Sequence, residues 1–282
     1  MLTFMTDADN TPYEILAPSA ALLPVATGLR AALDRLSAPD ATAPEALYWG
    51  EIPFLDFGHE LARFALWKRG WEPEGEINAS RFGERDLYHH LLTELNIMSE
   101  ADLCERCRAQ TEGAGTSARY ARIEAAPTVK TLLTDEMALG WGGVEVVGRG
   151  TPDPERVKRE RMFVDYFRGA LSGFALRASD LSEGASLVAE AMAGDMVGPK
   201  EAARLFERTV TEAVVRFSSW HEWAKSLLAA EVFLALETGE AAALEVLAER
   251  EALLTSFLEG PWGKTPWPRL RASEAMPPVY EK

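Results

Sequence analysis

From Pro154 to Gly260 apolar residues recur at helical spacing, and short glycine, serine or proline punctuation is all that interrupts them. The spacing predicts helices over 155–177, 180–193, 199–216, 219–237 and 240–259. Asp180, Ser182, Pro199 and Ser219 stand near the expected starts, and Gly194, Gly239 and Gly260 near the expected ends. Helices this closely spaced must bury their apolar faces against one another. The expected fold is therefore mainly α, a compact multi-helix array with short connections.

Upstream the pattern is looser. ILAPSAALLPVATGLRAALDRL reads as one helix entered through Pro24, followed by the loose connection SAPDATAP. In LDFGHELARFALWKRGW, Leu55, Leu61, Phe64, Ala65 and Trp67 or Lys68 trace one broad face before Gly70. FGERDLYHHLLTELNIM and SEADLCERCRAQTEG read as two helices, the second opened by Ser99 with Asp102 at the capping-box position. APTVKTLLTDEMALG is a further helix. The glycine-rich GWGGVEVVGRG reads as a turn with at most a short strand near 144–147, because it lacks the residue order of a phosphate-binding loop. The expected organisation is an N-terminal helical extension over 1–85, a helical domain over 86–270 and a disordered tail over 271–282.

With 29 Lys and Arg against 44 Asp and Glu, the chain carries a formal charge of −15, which repels phosphate backbones. In PERVKRERMF, Arg156, Lys158, Arg159 and Arg161 are interleaved with Glu155 and Glu160, which reads as a solvated helix face and not a nucleic-acid stripe. No nucleic-acid partner is expected. Apolar stretches such as LLAAEVFLALETG are broken by Glu231 and Glu237, short of the roughly 18 apolar residues of a membrane span. MLTFMTDADN has no basic residue ahead of its apolar positions, unlike a secretory leader. No membrane partner is expected, and the location expected is cytoplasmic.

The chemistry-bearing residues are sparse. Only His59, His89, His90 and His221 are histidines, and neither HExxH nor GxSxG accompanies them. Cys104 and Cys107 lie one helical turn apart, so a redox pair or half a zinc site with His89 and His90 is conceivable. A second tight ligand pair is missing and the motif sits inside a helical pattern, so no metal and no cofactor are expected. Asp135 with Glu136, and Glu249 with Glu251, read as solvated faces. No catalytic residue is assigned; the enzyme alternative would gather His89 or His90, Asp180 and nearby carboxylates in an unrecognised helical site.

Two aromatic stretches stand out. In VVRFSSWHEW, Ser219 and Glu222 form a capping box, and Trp220, Trp223, Leu227 and Leu234 recur as a buried face requires, with His221 at its boundary. In EGPWGKTPWPRL, Pro261 and Pro266 stiffen a non-helical strap carrying Trp262 and Trp267. Such a strap either closes over the core or offers a partner-binding patch.

Over roughly residues 88–270 these elements resemble the DUF1266 family of uncharacterised bacterial proteins. The matching residues are Asp180 in ASDLSEGASLVAEAMAGDMV with Gly194, then Phe217, Ser218, Ser219 and Trp220, then Pro261, Trp262, Pro266 and Trp267, with LLTELNIMSEADLCERC upstream. Glu183 stands where the family tends to have arginine, and Ala229 and Ala230 stand where it tends to have glycine and arginine. The resemblance implies a helical domain and brings no established activity, cofactor or catalytic residue. Together with the charge, it leads to the expectation of a non-enzymatic acidic binding protein with one basic protein partner. An immunity protein against a bacterial toxin, or an adaptor for a secreted effector, would fit. LDFGHELARFALWKRG also echoes SDLSEGASLVAEAMAG, through distant duplication or a shared way of building helices.

Overall fold

The computed structural model describes residues 3–6, 12–37, 52–71, 84–93, 95–139, 153–171 and 176–268. A short antiparallel hairpin comes first, β1 (Thr3–Thr6) and β2 (Pro12–Ile15), with Thr3 opposite Ile15 and Thr6 opposite Pro12. The other elements among the described residues are helices: α1 (Leu22–Arg35), α2 (Phe54–Lys68), α3 (Glu84–Thr93), α4 (Glu100–Thr111), α5 (Thr116–Ala125) and α6 (Val129–Leu139). There follow α7 (Pro154–Phe167), α8 (Arg177–Ala193), α9 (Pro199–Arg216), α10 (Trp220–Ala235), α11 (Glu240–Glu259) and the single turn α12 (Pro261–Lys264). The expected strand near 144–147 and the tail over 271–282 lie outside the described residues.

The fold is mainly α, as expected. The helix expected over 155–177 stops at Phe167, although its apolar spacing continues. Arg168 leaves the helical region with ψ 124°, and Gly169 takes φ +79°, a left-handed conformation that glycine adopts without penalty. The hairpin was not foreseen, since four-residue strands are too short to establish a period of two.

Contacts divide the chain into two compact units. The first combines residues 1–38, 112–180 and 224–255; the second combines 39–111, 181–223 and 256–282. The stretch before residue 86 is thus shared between them.

In the first unit α7 packs against α1, α5 and α6. Its charged segment is a solvated face only in part: Glu155 and Lys158 are exposed, but Glu160 and Arg161 are fully buried, and Arg156 and Arg159 are largely covered. Arg161 donates to Asp165 at 2.7 Å, to the carbonyl of Ala126 at 2.5 Å and to that of Glu14 at 2.5 Å. Asp165 in turn accepts from the amide of Leu16 at 2.9 Å, which pins β2 to α7. Glu160 is paired with Arg119, which also reaches Glu237 at 2.6 Å and lies over the Phe233 ring. Phe163, Phe167, Tyr120 and Phe233 fill the space beside these pairs.

In the second unit α2 packs extensively against α9. Phe57, Gly58, Leu61, Ala62 and Ala65 turn inward from α2, while Leu55 is only half-buried. Gly58 lies against the Phe206 ring of α9, so close that any Cβ would overlap it. Among the described residues no helix is long and apolar enough to cross a membrane.

Gly58→Ala is expected to destabilise the chain by about 1–3 kcal/mol through overpacking against Phe206. Urea unfolding of Gly58→Ala, with and without Phe206→Leu to make room, measures this; a second change that restores nothing would show that the overlap is not the cause.

Candidate functional site

The tryptophan strap is closed. Pro261 occupies the first position of α12, where its missing N–H is no loss, so the strap begins with one helical turn instead of excluding helix. Trp262 is wholly buried and Trp267 is 8% exposed, which rules out an exposed patch formed by these two rings. Trp262 stacks on Trp220 with centroids 5.0 Å apart, and Trp267 meets Trp220 edge-on at 4.7 Å. Phe57 from α2 packs on both Trp220 and Trp267.

Three of the indole N–H groups donate to main-chain carbonyls: Trp220 to Thr265 at 2.8 Å, Trp262 to Glu60 at 3.2 Å, and Trp267 to Phe217 at 2.9 Å. Trp223, also wholly buried, has its ring edge-on to Phe217, and its N–H has no hydrogen-bond partner. At the start of α10, Ser219 accepts from the Glu222 amide at 3.2 Å. The Glu222 carboxylate accepts from Ser218, one residue ahead of the expected cap amide. Phe217, Ser219, Trp220, Pro261, Trp262, Pro266 and Trp267 thus gather in the second unit as an aromatic seal. Leu227 is buried and Leu234 half-buried. Along the seal's outer side runs an open groove of about 500 Å³, bounded by residues 214–218, Glu222 and Pro268.

Asp180 serves the first unit. It is 2% exposed and accepts from the amides of Thr116 at 2.7 Å and Ser117 at 3.2 Å, from the Ser117 hydroxyl, and from Arg177 at 3.3 Å. Gly115, the N-cap of α5, has no side chain to offer, so α8 supplies the cap for α5. Burial pushes the Asp180 carboxyl up, against these hydrogen bonds and Arg177. Gly194 closes α8 by donating to the Glu190 carbonyl.

Among the described residues no three His, Cys, Asp or Glu side chains are grouped as metal ligands would be. His89 is exposed; His90 and His221 are half-buried. His59, half-buried beside Phe206, has its imidazole pushed down by burial and an Nε2 without a hydrogen-bond partner. The Cys107 thiol donates to the Gly184 carbonyl at 3.6 Å and is pushed up to about 12 by burial; Cys104 is also raised, again by burial first. Both shifts disfavour the thiolate that redox chemistry and metal binding require.

A second, partly buried polar cluster joins α2 to α8, and it was not foreseen from the sequence. Arg69, at the C-cap of α2, donates to Glu183 at 2.6 Å, Glu190 at 2.6 Å and Ser186 at 2.7 Å. Lys68 adds a 3.3 Å contact to Glu183. The three acceptors are spaced by three and four residues along α8, hence on one face; ExxSxxxE within a small-residue helix was the available signal. Glu190 is 1% exposed, and burial pushes its carboxyl up, opposed by Arg69 and His90 and reinforced by Glu183. A buried carboxylate of shifted proton affinity is the mark of a proton-binding site or of a structural ion pair.

No family model, no curated protein and no solved structure matches the chain.

Trp262→Phe and Trp223→Phe remove the same atoms, but only the first removes a hydrogen bond, so Trp262→Phe is expected to cost about 1 kcal/mol more in denaturant unfolding. Equal costs would mean that the Glu60 contact adds nothing. For Glu190, a folded-state carboxyl raised above its unfolded value binds more protons when folded. Its stabilising contribution is therefore greatest at low pH and is lost as pH rises through the folded value. Glu190→Gln has no such loss. Its stability relative to the native chain is expected to rise from about pH 4 to about pH 7, as measured by urea unfolding at each pH, and a flat or falling difference would contradict this.

Proposed function

We propose that this chain is a non-enzymatic acidic binding protein that engages one basic protein partner, as an immunity protein engages a toxin or an adaptor a secreted effector. What supports the reading is where the fold spends its cations. Arg69, Arg119, Arg161 and Arg177 are each committed to a buried carboxylate, so they do little to offset the carboxylates that face water. Asp34, Asp56, Glu105, Glu207, Glu245 and Glu249 are among those exposed, on a chain whose formal charge is −15. A field of that sign speeds encounter with a cationic partner and weakens as salt screens it.

The resemblance to DUF1266 proteins agrees with this reading, since it implies a helical domain without known chemistry. A cytoplasmic location belongs to the same proposal. Against the enzyme alternative, both carboxylate oxygens of Asp180 are taken up by α5 and Arg177.

The test is a tagged pull-down from the native host at low and then moderate salt, with captured proteins identified by mass spectrometry. One stoichiometric basic protein is expected. Its association rate should fall by roughly tenfold or more across that salt range. A chain that captures nothing at low salt, or a partner whose association ignores salt, would overturn the proposal.

A further inference from the structure

We draw no further inference here: the strongest candidate, the open groove between the C-terminal end of α9, the first turn of α10 and Pro268, carries Arg216 and Glu222 already engaged by Glu212 and the Ser218 amide, and nothing in the structure shows what covers it.

Discussion

Arg161 must satisfy a guanidinium where water does not reach, and the first unit is arranged so that it can. Its donors meet a carboxylate on its own helix, a carbonyl at the end of α5 and a carbonyl in β2. A guanidinium buried without such partners would cost several kcal/mol, so the hairpin, the α5–α6 corner and α7 are each held where the charge requires them. The pair adds little net stability compared with apolar packing of the same volume. Its effect is on geometry: few arrangements of these segments answer every N–H.

The second unit relies on shape and dispersion. Aromatic rings from α2, α10 and the 261–268 strap interlock, and three indole N–H groups find carbonyls that the bends of the chain bring to them. Polar groups buried here are handled less completely. Burial opposes the charged form of Glu190 more strongly than Arg69 and His90 favour it. Trp223 keeps an unanswered donor. These positions, with the unpartnered Nε2 of His59, are among those where the unit gives up stability that a wholly apolar side chain would have supplied.

What could be read from the chain was local. α9 and α11 have the expected bounds because Pro199 and Gly239 act on their own neighbourhoods, and the α10 start was legible because Ser219 and Glu222 speak only to adjacent amides. Apart from the early end of α7 before Gly169 and the short hairpin, the errors concern partners distant in sequence. The alternating charges of α7 have the same pattern whether they meet water or meet Arg119 and the Glu14 carbonyl, and nothing within ten residues separates the cases. Asp180 looks like the cap of its own helix yet caps α5, 64 residues earlier than itself at Thr116. Glu190 and Arg69 are 121 positions apart, and only the folded chain joins them.

The way β2 is held has a consequence for how this segment can vary. Its links to the first unit run through the amide and carbonyl of Glu14 and the amide of Leu16, all main-chain groups that any residue except proline supplies in full. Side chains there are not what Arg161, Asp165 and Pro127 recognise. The hydrogen bonds set no demand on composition in the 14–16 stretch, whose side chains are half-buried, whereas a one-residue insertion or deletion would carry every donor and acceptor out of step. The segment is thus constrained in length and phase by its main chain, more than by the chemistry of its side chains.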